Sequence, residues 1–435
     1  MSYRESFTED LLKVQAPAWP WIAKLRQEAY ERFKSIGFPT RKLESWKYVT
    51  LDPLLNASFV SSDKNAAPEL DLALSKELSF SEGSPRIVFV NGVYSETLSS
   101  INFLPHGVFL NRLSENMEFT PEIVQPYLTA GLEEESNAFS LINLFSFKDG
   151  AFVYVPANST LDEPLHILFV ESGTSAEAVA LYPKILIVLG EHATAAVTLN
   201  FIGGARGKYF RNAHAQIHLG KSSALDCNII QRESKEAFSF LSSRYFLEKE
   251  SRLNVTSFSQ GGLVTRNDSE VKLIGERASV SLKGLSVLSG ESQVFHHAAV
   301  HHLVPHCVSR QFYKNILADK SKSEFDSLVH VGHNAVKSDS NQLNKNLLLS
   351  DFAQEYSRPK LKIDNDDVAC THGATVGQLQ ETELFYLRSR GFSEASARFV
   401  LTYGFAEEIL EGVKPEPLKT RLEALVSEEL KKVIR

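Results

Sequence analysis

The sequence predicts a mostly β protein: a β-solenoid core with helical regions at both ends. From about 150 to 376, short β-branched and aromatic runs alternate with Gly, Ser, Asn and Asp turns. Within this stretch an aliphatic residue followed by a turn recurs at spacings of 30, 28 and 27 residues. The clear recurrences are Leu189, Leu219, Leu247 and Ile274, and the weaker ones are Leu317 and Leu349. Such a repeat favours stacked coils, since one coil cannot bury its own face. An antiparallel sandwich of short strands is the alternative.

Residues 1–149 form the predicted N-terminal helical and mixed region. A helix is indicated by apolar residues on one face, and Gly37 and Pro39 end it. Residues 57–84 have the composition of a linker, 86–96 predict strand, turn and strand, and 121–148 predict helix again. The apolar face of the first helix consists of Ile22, Leu25, Ala29, Phe33 and Ile36.

Three short helices are predicted in the C-terminal region, residues 377–435. The first covers 379–390, and Ser393 is a suitable N-cap for the second. The second carries Ala397, Leu401, Phe405 and Ile409 at steps of four, and the third carries Leu418, Leu422, Leu425 and Val426. These helices can either cap the open end of the solenoid or present an apolar face to a partner, and the pattern does not choose between the two.

Composition excludes several classes of protein. The chain has 435 residues, 23% of them charged, and a net charge of −7, which argues against bulk binding of nucleic acid. No apolar run approaches the roughly 18 residues of a membrane span. The start, MSYRESFTEDLL, lacks the apolar core of a signal peptide. Three cysteines cannot form a disulfide framework, so a reducing compartment is expected, most simply the cytoplasm.

Cys370 and His372 form the strongest candidate site. On a strand, residues two apart point to the same face, so a thiolate and an imidazole could hold one metal ion together. Iron–sulfur clusters and structural zinc usually take four ligands, so two are half a site. The competing interpretation is structural: a small buried cysteine beside a hydrogen-bonded core histidine.

Other motifs carry weaker signals. Five histidines lie within 296–307, but their odd spacing alternates faces and no zinc motif is present, which favours a His-rich solenoid edge. Asp364 and Asp366 would share a strand face and could act as paired carboxylates. The Gly-rich segment 203–209 lacks the length and the Ser or Thr of a phosphate-binding loop, so we do not expect this chain to hydrolyse ATP.

The segments DDVACTHGATVG and LFYLRSRG, within 338–392, resemble the C-terminal signature of the SufB/SufD family of iron–sulfur cluster assembly scaffolds. His302 with 307–311, GFPTRKLESWKYVTL (37–51) and VFVNGVYSE (88–96) are similar too. The short N-terminus, the chain length and the few cysteines resemble the SufD branch rather than the SufB branch, although Cys227 lies in the predicted solenoid.

This resemblance implies a right-handed parallel β-helix in a non-catalytic scaffold. It implies pairing with a SufB-like subunit through the β-helices, and two copies of a SufC-like ABC ATPase, one docked on 377–435. In that case His372 would face a cysteine of the SufB-like chain, with Cys370 as an auxiliary thiolate. A transient cluster or iron ion would lie at this interface, none being tightly bound by this chain alone. The predicted partner contacts on the helices are Phe385, Leu401, Phe405 and Ile409.

Two alternatives stay open beside the scaffold. A β-helix polysaccharide lyase or hydrolase would be secreted and active as an isolated chain. A SufB-like homodimeric scaffold would work without a SufB-like partner.

Overall fold

Two facing sheets of stacked parallel strands form the core. The computed structural model describes residues 19–61, 83–101, 104–171, 178–204 and 207–434. Successive strands alternate between the two sheets and build a parallel β-solenoid of about seven turns. The predicted solenoid is therefore confirmed. The sandwich alternative is wrong, because neighbouring strands of the core run parallel and only the first pair of each sheet is antiparallel.

The strand bounds define the two sheets. The first sheet contains β1 (Val60–Ser61), β4 (Phe109–Arg112), β5 (Gly150–Val155), β7 (Val179–Leu181), β8 (Lys184–Leu189), β10 (Tyr209–Leu219), β12 (Phe238–Leu247), β14 (Val264–Leu273), β16 (Gln293–His302), β18 (Lys322–Val331) and β20 (Gln354–Ile363). The second contains β2 (Arg86–Val90), β3 (Val93–Tyr94), β6 (Leu165–Glu171), β9 (Thr194–Gly203), β11 (Ala224–Arg232), β13 (Arg252–Ser259), β15 (Ser279–Leu288), β17 (Val308–Leu317), β19 (Asp339–Leu348) and β21 (Ala369–Gly377).

The register corrects part of the predicted repeat. Leu189, Leu219 and Leu247 are direct partners on successive strands. The next partner is Leu273, whereas Ile274 lies one residue later and is 43% exposed. Leu317 ends a strand of the second sheet and Leu349 follows another. The true continuation is His302 and then Val331, which an aliphatic pattern cannot reveal.

The same type of turn joins each first-sheet strand from β8 to β18 to the next strand of the second sheet. In every case from β8 to β18 one non-glycine residue of the turn takes a positive φ between 55° and 62°. These residues are His192, Ser222, Glu250, Arg277, His306 and Lys337. The repeated left-handed residue reverses the chain in the same way at each level, which keeps the coils in register.

The N-terminal region packs on the outer face of the first sheet. Helix α1 (Pro20–Ile36) buries Ile22, Leu25 and Ala29 and ends at Gly37, whose N–H bonds Phe33 O. The predicted helix over 121–148 is instead broken, because Pro126 and Gly131 interrupt it. The short α-helices of the N-terminal region are α2 (Asp52–Leu55), α3 (Leu113–Phe119), α4 (Gln125–Leu128) and α5 (Ala138–Ser146). Three 3₁₀ turns lie at Glu44–Trp46, Pro121–Ile123 and Leu132–Glu134. Most of the predicted linker lies outside the described residues.

The C-terminal helices pack along the side of the solenoid and do not cap its end. They are α6 (Glu381–Ser389), α7 (Glu394–Leu410) and α8 (Glu416–Val433), and Ser393 caps α7 as predicted. Apolar residues of α7 and α8 meet the outer face of the second sheet, among them Phe258, Leu285 and Ile316. Within the described ranges no helix is long and apolar enough to cross a bilayer.

Candidate functional site at the open end of the solenoid

The last coil, β20 and β21, leaves one end of the solenoid open. Each strand pairs on one side only, and no described residue forms a strand on the other side. The N–H of Ala369 bonds Ser338 O, just before β19, and Thr375 O accepts from Asn346 Nδ2 of β19. Backbone groups alternate sides along a strand. The backbone N–H and C=O groups of the even-numbered residues 370–376 therefore point outward from the sheet edge.

Cys370 and His372 lie on the inward-pointing face of β21. Cys370 is the register partner of Ser340 and packs, half-buried, against the end of the solenoid core. His372 is the partner of Gln342 and is exposed, because no coil covers it. The strand thus presents a thiol and an imidazole together at the open end.

The Cys370 thiol is held in its protonated form in this chain. Burial raises its pKa and the nearby Asp339 carboxylate raises it further, while a hydrogen bond from the Ser340 backbone lowers it in part. A thiolate is the form that binds metal. A metal ion or another positive group beside Cys370 would favour the thiolate.

The candidate site has two ligand types and, in the described part of the chain, no third side chain to complete it. Among the residues that the structure describes, no three His, Cys, Asp or Glu side chains are placed to hold a metal ion. The expectation that Asp364 and Asp366 share a strand face is wrong, since the strand stops at Ile363 and restarts at Ala369. Asp364 instead lies in the connecting turn, where its Oδ2 is 2.9 Å from Nε2 of His330 on β18.

The solenoid interior beneath the open end is polar. The column of inward residues that ends at Cys370 begins with Leu225, Leu253 and Val280 and then changes to Ser309 and Ser340. These two hydroxyls are 3.0 Å apart, and His302 Nε2 lies 2.8 Å from Ser309 Oγ. This polar interior is a feature that the predicted solenoid did not include. Polar residues at steps of two, in SRQ at 309–311 and SNQ at 340–342, were the signal for it.

The histidine cluster divides between the two faces of β16. His296 and His302 point inward and bond Ser286 and Ser309, and burial lowers the pKa of each to about 4. His297 points outward, with its Nδ1 3.3 Å from Asp268 Oδ1. The buried histidines are hydrogen-bonded core residues and belong to no common metal site among the described residues.

The predicted partner contacts on the C-terminal helices differ in exposure. Phe385 on α6 is 73% exposed, whereas Leu401 and Phe405 on α7 are half-buried. Ile409 is fully buried against the solenoid of its own chain, so a partner cannot reach it in this fold. Helix periodicity identified an apolar face, but most of that face is used within the chain.

The Gly-rich segment connects two strands. Gly203 ends β9 and Tyr209 begins β10, so no helix follows as a phosphate-binding loop requires. Tyr209 is buried and its hydroxyl bonds Glu233. The described ends of the segment are therefore strand residues and lack the strand-to-helix context of a nucleotide site.

Comparison with known proteins identifies the family of this chain. The family model described as the SUF system FeS cluster assembly SufBD core domain matches residues 170–405. The model of the SufBD protein N-terminal region matches residues 1–167. The chain belongs to the SufBD family. It is therefore an iron–sulfur cluster assembly protein, and the resemblance predicted from its motifs is confirmed.

Relatives align along nearly the whole chain. An iron–sulfur cluster assembly SufBD family protein of Synechocystis is 29% identical over 93% of this chain and 90% of its own. The iron–sulfur cluster assembly protein SufD of Escherichia coli is 29% identical over 93% of this chain and 92% of its own. The protein of the same name in Bacillus subtilis is 22% identical over 99% and 97%. The SufBD family match counts against the polysaccharide-cleaving alternative.

Proposed function

We propose that this chain is a non-catalytic scaffold subunit of a SUF complex that pairs with a SufB-like subunit through the open end of its solenoid. The observation that carries this proposal is the position of Cys370 and His372 on a strand with an unpaired edge. Strand addition is a common way for a sheet edge to bind a partner. Pairing there would bring the partner's ligands beside both side chains.

The two edge strands are not equally suited to pairing. Gln354 N bonds Ser321 O, just before β18, so the backbone N–H and C=O positions of the odd-numbered residues of β20 point outward from the sheet edge. Pro359 is one of them, and it has no N–H to donate to a partner strand. The edge of β21 contains no proline. This favours β21, the strand that carries the candidate ligands, as the pairing edge.

Completion of the half site is the chemical reason for a partner. Fe–S clusters are generally held by four ligands, usually thiolates. Cys370 and His372 supply two of the ligand types, and further ligands would come from the SufB-like chain. Iron would enter, and a nascent cluster would form, between the two subunits as cargo of the complex.

The exposed part of the C-terminal helices supports docking of a SufC-like ATPase. Phe385 and Tyr386 are 73% and 56% exposed on α6, and Phe392 and Val400 lie exposed nearby. Aromatic residues in such clusters are typical centres of binding energy. An ATPase supplied by another chain also agrees with the lack of a phosphate-binding loop in the segment 203–209.

The free cysteine thiols favour a reducing compartment for this chain. Cys227, Cys307 and Cys370 are all free. Within this proposal the complex works in a reducing compartment, most simply the cytoplasm.

Co-expression with SufB and SufC homologues tests the proposal. Ala374→Pro removes an outward N–H of β21 without breaking a bond to β19, and we expect it to abolish co-purification with the SufB homologue. Ala374→Val keeps the N–H and should preserve co-purification. His372→Ala should retain the complex but lose cluster assembly. Full assembly by His372→Ala would refute the ligand role.

The solution mass of the chain expressed alone distinguishes the homodimeric alternative from the proposed heterodimer. A stable homodimer that assembles clusters without the SufB homologue would replace the heterodimer proposal. A monomer or an inactive dimer that combines with the SufB homologue supports it.

A further inference from the structure

Gln342 lies directly beneath His372 in one interior column of the solenoid. Gln311, Gln342 and His372 are successive register partners, and earlier coils place Val255 and Leu282 in the same column. Gln342 has no exposed surface. Its amide is therefore a buried polar group that must find its partners inside the protein.

Ser327, on the facing sheet, orients this amide. Its hydroxyl donates to Gln311 Oε1 at 2.6 Å and accepts from Gln342 Nε2 at 2.8 Å. One hydroxyl has one proton, so the two bonds need one acceptor and one donor. Gln342 Oε1 is left buried without a hydrogen-bond partner. A buried acceptor without a donor is costly, and this oxygen is therefore a ready site for an N–H.

The coil above offers one donor to this oxygen. In the first sheet the register partner of Ser327 is Pro359, which has neither a hydroxyl nor an N–H. In the second sheet the partner of Gln342 is His372, on a strand about 4.8 Å away. From the open end, a ring N–H of His372 is the group that the register brings to Gln342 Oε1. From the coil beneath, the buried Gln311 Nε2, which also has no hydrogen-bond partner, lies in the same column.

We infer that Gln342 is a positioning residue for His372: its Oε1 accepts one ring N–H and leaves the other ring nitrogen as a lone pair directed at the open end. A neutral imidazole has one N–H and one lone pair, so fixing the first fixes the second. Outer partners of this kind set the tautomer of metal-binding histidines. The inference rests on the proposed function for the use of the lone pair, while the tautomer is a property of the free chain.

Nitrogen NMR of the chain alone tests the inference. The full chain, labelled with ¹⁵N-histidine, is recorded at an alkaline pH at which imidazoles are neutral, and His372 is assigned with His372→Asn. We expect one ring nitrogen of His372 with an N–H shift and the other with a lone-pair shift. Gln342→Met keeps the length but removes the acceptor, and should move both shifts toward their average. Ser340→Ala, on the same strand and face beneath Cys370, should leave them unchanged.

Averaged shifts in the unsubstituted chain would overturn the inference, as would fixed shifts that persist in Gln342→Met. Averaged shifts in the unsubstituted spectrum overturn it even if Gln342→Met fails to fold. Because no partner is present, this result is independent of cluster assembly. A His372→Ala complex that still assembles clusters would refute the ligand role and leave the Gln342 contact standing.

Discussion

Lys314 Nζ donates a 2.7 Å hydrogen bond to the backbone carbonyl of Phe405, which joins strand β17 to helix α7. The ammonium also contacts the Glu408 carboxylate and lies 4.3 Å from the centre of the Phe405 ring. The Lys314 side chain is only 2% exposed. A charge from the solenoid is thus buried under α7 and satisfied by it, so this contact sets where the C-terminal helices lie.

Removing this charge should loosen the C-terminal helices. We expect Lys314→Met to lower the free energy of unfolding by about 1–3 kcal/mol, the range for a lost charged hydrogen bond, because half-exposed Glu408 can be solvated. Lys345→Met is the matched control, since Lys345 reaches the same carboxylate from a more exposed position. It should cost below about 1 kcal/mol. Urea denaturation measures both, and equal losses would contradict the prediction.

Arg244 and Glu135 join the N-terminal region to the solenoid through two hydrogen bonds of 2.8 and 2.7 Å. Both side chains are buried, so Glu135→Gln leaves Arg244 short of negative charge, with Glu270 as its remaining ion-pair partner. We expect a loss of about 3 kcal/mol in the free energy of unfolding, the lower end for breaking a buried pair.

Glu134→Gln provides the control for Glu135→Gln. Glu134 is the neighbouring residue and pairs with Lys272, but its side chain is 74% exposed. An exposed pair contributes below about 1 kcal/mol. Thermal and urea unfolding of the two variants should therefore differ clearly. Similar losses would show that burial does not increase the contribution of the Arg244–Glu135 pair to the free energy of unfolding.

His302 should make the fold sensitive to acid. Burial lowers its pKa to about 4, whereas in the unfolded chain it titrates near 6.5. The unfolded state therefore binds the proton first, and stability is lost as the pH falls from about 6.5 to about 4, by up to about 3 kcal/mol. His302→Gln removes the His302 contribution, whereas buried His296, whose pKa is also lowered to about 4, keeps its own. His306→Asn, in an exposed turn, should leave both contributions in place.

The quantity to compare is the difference between variant and unsubstituted chain at each pH. Burial raises the pKa of Glu171 to about 7, so that group destabilises the fold as the pH rises and opposes the histidine effect. Urea titrations between pH 4 and 7 measure the difference. A slope that is the same in His302→Gln as in the unsubstituted chain would show that His302 is not the responsible group.

Phe385 should contribute strongly to binding of the SufC-like ATPase while contributing little to the fold. We expect Phe385→Ser to weaken that binding at least tenfold, since buried aromatic anchors dominate interfaces. Phe119→Ser replaces an equally exposed phenylalanine, 74% exposed, in the N-terminal region. Calorimetric titration with the ATPase measures both variants. Equal affinities would place the docking surface elsewhere.

Features that depend on short-range geometry could be predicted from the amino-acid sequence alone. Cys370 and His372 share a face because strand side chains alternate, and α1 buries Ile22 and Ala29 because helix faces repeat every 3.6 residues. The turn signals after Leu189, among others, likewise predicted coils. Each of these follows from the covalent chain and its local dihedral preferences, whatever lies around it.

Which of these faces are free depends on how the elements pack in the folded chain. Ile409 lies on a predicted partner face but is buried by the chain's own solenoid, while Phe385 remains exposed. The pairing of Leu247 with Leu273, and of Gln342 with His372, likewise depends on how distant coils stack. Burial and strand register depend on contacts between residues that are far apart in the chain. Local periodicity can therefore identify candidate site residues, but it cannot show which of them remain exposed in the fold.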